Sequence, residues 1–143
     1  VEIALESMGS SLSQVKFAES VLFTSKVLCS EDVINKAKIL DIKLEFVSEI
    51  KSITEYSYFI LTKLDKYIHT KFCLLTQWDS WVINSEFWDS DFLNYDYIGA
   101  IWPHYSENKV GNGGFSLRSK RLLESTRDFI ISNPNFSIPL IEH

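Results

Sequence analysis

Two short segments in the second half of the chain carry residue types that could do chemistry. The first is Gln77-Trp78-Asp79, where an amide and a carboxylate follow an apolar run directly. The second is residues 111–119, where three of the chain's five glycines fall within residues 111–114. Side-chain oxygens suit a hard divalent cation that also binds phosphate, and glycines let main-chain N–H groups approach a ligand closely. Together the segments predict a site for a sugar linked to a nucleoside diphosphate.

Each segment also has a simpler interpretation. In extended backbone Gln77 and Asp79 would point to the same side, as a shared metal site requires. Asp79 could equally open a turn or cap a helix, with Ser80 assisting. The glycine-rich segment is predicted to be a loop that faces a ligand, and the alternative is a tight Asn-Gly turn of a hairpin.

Aromatic residues lie close to both segments. The chain has four tryptophans, which are Trp78, Trp81, Trp88 and Trp102. Their rings can stack on the apolar face of a sugar, although such residues also fill cores and interfaces. We expect one or two of the four at the ligand and the rest in structural roles.

Composition sets the broad class of the protein. The chain has 143 residues, a net charge of −5 and 45% hydrophobic residues, which predicts a single domain over residues 1–143, complete or part of a longer chain. The acidic balance argues against a nucleic-acid partner, which would require a basic patch. No stretch reaches the roughly 18–20 apolar residues of a transmembrane segment, and the N-terminus lacks the basic start of a signal peptide. We therefore expect a cytoplasmic protein.

Apolar periodicity predicts strands that alternate with helices. Strands are expected at residues 1–5, 21–23, 42–46, 72–75, 97–101 and 115–117. Helices are expected at residues 12–18, 31–40, 53–68 and 120–131, with Ser30 as one N-cap and Ser52 with Glu55 as a capping box. This order indicates an α/β fold with a mixed, mostly parallel sheet flanked by helices.

The fold class in turn suggests where a ligand binds. In such sheets ligands lie at the carboxyl ends of strands, and Gln77 to Trp81 directly follow a strand. The glycine-rich segment precedes its strand instead. It reaches the same edge only if that strand runs antiparallel or the loop folds back, and the predicted site requires the two segments to meet there.

Three segments resemble, in order and spacing, a family of poorly characterised glycosyltransferase-like domains of the GT-A fold. They are residues 72–80, 95–102 and 111–119, within a resemblance that is strongest over roughly residues 54–125. The run from Gly111 to Arg118 is the most specific of the three. The resemblance implies a GT-A-like (Rossmann-like) fold. It also implies transfer of a sugar from a nucleotide-sugar donor to a saccharide or other hydroxyl acceptor.

The resemblance also assigns roles to individual residues. Asp79 would hold a divalent cation, Mn²⁺ or Mg²⁺, together with the donor diphosphate. Gln77 stands in the first acidic position of the family's metal motif, and this departure leaves metal dependence open. The remaining donor-binding residues that the resemblance implies are Trp102, Asn112, Gly113 and Gly114.

The resemblance leaves the catalytic base open. The family usually carries an acidic pair beyond the helix that follows the glycine-rich segment, and one such carboxylate would act as general base. Glu142 stands about where that pair would begin, so the base is Glu142, lies beyond the chain end, or is missing. Because of this, the alternative to an enzyme is a non-catalytic nucleotide-sugar or glycan-binding domain of a larger polysaccharide-synthesis protein.

Overall fold

A computed structural model describes residues 1–103, 106–107 and 110–137. Its helices are α1 (Glu2–Gln14), α2 (Glu31–Ile39), α3 (Ile53–Thr62) and α4 (Lys120–Ser132). Its strands are β1 (Val21–Thr24), β2 (Lys43–Phe46), β3 (Phe72–Thr76), β4 (Tyr97–Ile101) and β5 (Val110–Ser119). None of the helices in these residues has the length and apolarity that crossing a membrane requires.

The chain divides into two compact units. The first comprises residues 1–49, 75–90 and 99–116, and the second comprises residues 50–74, 91–98 and the chain from residue 117 onward. The prediction of a single domain over residues 1–143 stays a prediction, and each unit is described separately below.

The core of the first unit joins its two helices to a pair of parallel strands. Leu5 of α1, Val33 and Ala37 of α2, and Ile42 before β2 are all at least 95% buried. Strands β1 and β2 pair in parallel, with Val21 opposite Lys43. Burying these side chains is the main favourable contribution to folding of this unit.

Helix α1 corrects the prediction of a strand at residues 1–5. Three alternating apolar residues are too few to distinguish a strand from a helix. Leu5, Met8 and Leu12 recur at helical spacing over two turns and pack against the core, whereas Ile3 is 58% exposed. The helix predicted at residues 12–18 is therefore the end of α1, which stops at Gln14.

Strand β5 runs antiparallel to both of its neighbours in a three-stranded sheet of order β3-β5-β4. The Lys120 amide donates to the Lys71 carbonyl at 2.8 Å, and the Ser119 amide donates to the Asp96 carbonyl at 2.9 Å. The end of β5 thus lies beside the residues that precede β3 and β4. The described chain therefore holds two small sheets, one parallel and one antiparallel, instead of the single, mostly parallel sheet that we predicted.

The glycine-rich segment is part of strand β5, not a loop. The strand begins at Val110 and already includes Gly111, Gly113 and Gly114. None of the described glycines has a positive φ, so neither the predicted loop nor the alternative Asn-Gly turn is found. Residues 115–117, the strand that we predicted after the loop, lie in the second half of β5.

In the second unit α3 packs against α4. The Ser52 hydroxyl accepts from the Glu55 amide at 3.1 Å, and the Glu55 carboxylate accepts from the Lys51 amide at 2.6 Å, which confirms the predicted start of α3. Arg127 of α4 pairs with Asp65, whose side chain is 4% exposed. The apolar residues buried in this unit are Phe59, Ile60, Leu64 and Leu123.

Asp96 organises the start of α4. Its Oδ1 accepts from the Ser119 hydroxyl at 2.5 Å, and its Oδ2 accepts from Arg121 Nη2 at 2.5 Å. Ser119 in turn caps α4 by accepting from the Leu122 amide at 3.0 Å. The Arg121 guanidinium, followed by the Ser119 hydroxyl, lowers the pKa of Asp96.

Candidate functional site

The Gln77-Trp78-Asp79 segment forms a turn immediately after β3. The Ser80 amide donates to the Gln77 carbonyl at 3.2 Å, and the Gln77 amide donates to Ser80 Oγ at 3.0 Å. Because the backbone turns here, Gln77 and Asp79 do not follow the alternation of extended backbone that the sequence argument assumed. Gln77 is half-buried, and Trp78 and Asp79 are exposed at the tip of the turn.

The alternative interpretation of Asp79 as a turn residue therefore describes the backbone correctly. It does not by itself exclude a ligand, because the turn leaves the Asp79 side chain exposed and the Gln77 side chain half-buried. Both side chains offer the oxygen ligands that Mg²⁺ and Mn²⁺ accept. Among the residues that the structure describes, no three His, Cys, Asp or Glu side chains come close enough to share a metal ion. A cation at Asp79 would thus need further oxygens from the diphosphate and from water.

Helix α1 holds this turn through two serines that the sequence argument missed. Ser7 Oγ donates to the Trp78 carbonyl at 2.5 Å, and the Val82 amide donates to Ser11 Oγ at 3.0 Å. Ser7 and Ser11 are 5% and 4% exposed. Ser7 and Ser11 are four positions apart, so they share one face of a helix. This spacing would have indicated them if the N-terminus had been predicted as a helix.

The Ser80 side chain connects the turn to the glycine-rich strand. Ser80 Oγ lies 3.2 Å from the Gly114 carbonyl and 3.3 Å from the Gln77 carbonyl, and its one hydrogen can be donated to either. We predicted that the glycine-rich segment reaches this edge either because its strand runs antiparallel or because the loop folds back, and β5 is antiparallel. The two segments are therefore in contact, although they are more than thirty positions apart in the sequence.

Trp102 lies against the backbone of β5. A Cβ atom placed on Gly111 would be 2.5 Å from Cε3 of the Trp102 ring and 2.7 Å from its Cδ2 atom. Gly111 is thus required for the close approach of an indole, which is one of the two uses of glycine that the sequence argument considered. Of the residues predicted to bind the donor, Trp102 and the glycine-rich segment are therefore in contact.

The other predicted residues are placed as follows. The Gly113 carbonyl accepts from Ser116 Oγ at 3.1 Å, and Gly114 is buried. Asn112 lies between Gly111 and Gly113 in the strand, with its side chain outside the described part of the structure. Glu142 lies outside the described residues altogether, and its role stays a prediction.

From the tip of the turn onward, residues 78–88 expose large apolar side chains to solvent. We call these residues the aromatic segment. Its exposed members are Trp78, Trp81, Ile83, Phe87 and Trp88. Three of the four tryptophans are therefore largely exposed. We had predicted one or two of the four at a ligand and the rest in structural roles.

Comparison with known proteins shows the family of the chain. Residues 37–134 match the family described as "Protein of unknown function (DUF5672)", and this range includes Gln77, Asp79, Trp102 and the glycine-rich strand, but not Glu142. No curated protein and no solved structure matches the chain significantly. The match spans more than half of the sequence, and the chain belongs to the DUF5672 family.

Proposed function

We propose that this protein is a metal-assisted glycosyltransferase that moves a sugar from a nucleotide-sugar donor to a saccharide or other hydroxyl acceptor. The observation that carries the proposal is the 3.2 Å contact between Ser80 Oγ and the Gly114 carbonyl. This contact joins the turn that bears Asp79 to a strand rich in glycine. In the proposal the Asp79 carboxylate and the glycine-rich strand border the donor site. The sequence resemblance to GT-A-fold domains supports the same activity.

The charge distribution supports a role for a divalent cation. Residues 72–108 contain six acidic residues and neither lysine nor arginine. The negative charge of a diphosphate next to Asp79 therefore needs neutralising by something other than a side chain of this segment. In the proposal Asp79 and Gln77 hold Mn²⁺ or Mg²⁺, and the ion would stabilise the charge that grows on the departing diphosphate.

The other residues of the site take positioning roles in this proposal. Ser80 holds the turn against β5, and the backbone of Gly113 and Gly114 orients the donor sugar. Trp102, seated on Gly111, forms a wall of the donor site. The general base is Glu142 or a residue beyond the chain end, the fold is of the GT-A type, and the location is cytoplasmic.

Nucleotide binding tests the proposal directly. Thermal unfolding would be followed with UDP, GDP and CMP, each with and without Mn²⁺, on the unmodified chain and on Asp79→Asn. We expect one nucleotide to raise the Tm only when Mn²⁺ is present, and Asp79→Asn to remove that rise. Glu86→Gln is the matched control, since it removes an exposed carboxylate nearby in the sequence and should leave the rise unchanged. A full Mn²⁺-dependent rise in Asp79→Asn would reject the metal site.

A second candidate is a domain that binds nucleotide-sugar without turning it over. It is favoured by the single carboxylate at the turn and by Gln77 in place of a second one. The two candidates differ in hydrolysis. A transferase supplied with its donor and no acceptor releases nucleotide slowly, whereas a binding domain releases none above the rate without protein.

A further inference from the structure

The aromatic segment, residues 78–88, exposes apolar groups that a folded protein ordinarily covers. Ile83 and Phe87 are 80% and 81% exposed, and Trp78 is 60% exposed. Single exposed apolar residues are common, but five large ones within eleven positions are the kind of surface that marks a binding site.

The start of this segment is held in a fixed position. Ser7 binds the Trp78 carbonyl and Ser11 binds the Val82 amide, both through side chains of helix α1. Further along, the Asn84 side chain accepts from the Glu86 amide at 2.8 Å. A surface whose main chain is fixed in advance loses little entropy when a ligand binds.

The charges of the segment disfavour anionic partners. Residues 75–90 contain Asp79, Glu86 and Asp89 and no basic residue. A membrane of anionic lipids, a nucleic acid or an acidic polysaccharide would be repelled by this surface. Two copies of the chain that paired symmetrically through it would bring the same carboxylates face to face, which costs affinity.

We infer that the aromatic segment binds the acceptor, and that the acceptor is a saccharide without carboxylate, sulfate or phosphate groups. That the saccharide is an acceptor rests on the proposed function. That the segment binds a saccharide rests on its exposed aromatic side chains alone. The C–H face of a sugar ring packs on the indole rings, and its hydroxyls donate to the carboxylates. The aromatic segment includes Asp79 of the proposed donor site. A sugar bound along the segment would therefore lie next to residues that hold the donor.

Tryptophan fluorescence of the full chain tests this inference. The probes are neutral hexasaccharides of glucose, mannose and N-acetylglucosamine, with an oligogalacturonate of the same length as the acidic counterpart. We expect at least one neutral hexasaccharide to shift the emission saturably and the oligogalacturonate to leave it unchanged. Trp81→Ala and Phe87→Ala should each weaken binding about fivefold to tenfold. Ile39→Ala, which removes an 84% exposed side chain of α2 in the same unit, should not weaken it.

Several results would overturn the inference. They are a flat titration with every neutral saccharide, equal binding of the acidic one, and unchanged affinity in both aromatic variants. If sedimentation showed a dimer that Trp81→Ala abolishes, the partner of the aromatic segment would be a second copy of the chain. If the chain bound vesicles of anionic lipid, the partner would be a membrane.

The nucleotide experiment separates failure of this inference from failure of the proposed function. Nucleotide binding with Mn²⁺ but no saccharide binding rejects the acceptor surface and leaves the transferase standing. Saccharide binding through Trp81 and Phe87 without any nucleotide binding rejects the transferase and upholds the surface as a glycan-binding one.

Discussion

The hydroxyl of Ser80 lies 3.2 Å from the carbonyl of Gly114 and accepts the amide of Gln77 at 3.0 Å. One side chain thus closes the turn that bears Asp79 and joins it to the glycine-rich strand. Ser80 therefore helps to set the geometry of the candidate site, together with Ser7 and Ser11 of α1.

Ser80→Ala should disrupt this site more than it disrupts the fold. Removing the hydroxyl leaves the Gln77 amide and the Gly114 carbonyl without this partner, which costs about 1–2 kcal/mol of unfolding free energy. We also expect the Mn²⁺-dependent effect of the nucleotide on the Tm to shrink, because the turn loses its position. Ser85→Ala, at an exposed serine of the following segment, is the control for urea unfolding and thermal shift. Equal behaviour of the two variants would contradict the role of Ser80.

Ser11→Ala should loosen the chain beyond the turn. The Val82 amide loses its acceptor, so we expect its hydrogen exchange to accelerate and the free energy of unfolding to fall by about 1 kcal/mol. The comparison is Ser10→Ala on the same helix, because the Ser10 hydroxyl is exposed and donates to the Glu6 carbonyl within α1. Exchange at Val82 that is the same in both variants would show that α1 does not hold the segment.

Gly111→Ala should move the Trp102 ring. The added methyl would lie 2.5 Å from the ring, well inside van der Waals contact, so strand or indole must shift. We expect a change in near-ultraviolet circular dichroism and a lower Tm. Gly9→Ala is the control, with an effect of opposite sign. Gly9 lies within helix α1, and its added Cβ would be an ordinary 3.4 Å from the Leu40 side chain. That change should stabilise the chain by about 0.5–1 kcal/mol.

Asp96 should make the stability of the chain depend on acid pH. Its pKa is lowered in the folded state by Arg121 and Ser119, so the unfolded state binds the proton more readily. The stabilisation is complete above the ordinary pKa of an aspartate and is lost as the pH falls through the lowered value. Urea unfolding between pH 7 and pH 3 should therefore show a weaker loss in Asp96→Asn than in the unmodified chain. If Asp96→Asn and Glu86→Gln gave the same pH profile, the ion pair would have no such role.

Much of the local structure could be predicted from the residues alone. Ser30 accepts from the Val33 amide, and Ser52 with Glu55 begins α3, as their positions indicated. These signals are local, because a cap needs only residues three positions apart. The prediction of a strand at residues 1–5 was wrong because it used only local signals. Three alternating apolar residues do not show which side chains become buried, and burial decides between strand and helix.

Only part of the candidate site could be predicted from the sequence. The oxygen ligands expected of Gln77 and Asp79 stay a prediction, whereas the close approach expected of a glycine is found at Gly111. What the glycines approach could not be predicted, because the partner of Gly111 is the ring of Trp102, nine positions away in the sequence. The serines of α1 that hold the turn are more distant still.

The sequence by itself determined the N-caps of α2 and α3, the acidic and aromatic character of residues 75–90, and the identity of the side chains available for chemistry. Only the tertiary structure decided that β5 runs antiparallel, that Ser80 joins the turn to Gly114, and that α1 fixes both ends of the Trp78–Val82 stretch. The physical reason is that caps and periodicity act within a few residues of backbone. Strand direction and long-range hydrogen bonds depend instead on which apolar surfaces are buried together, and that is a property of the whole chain.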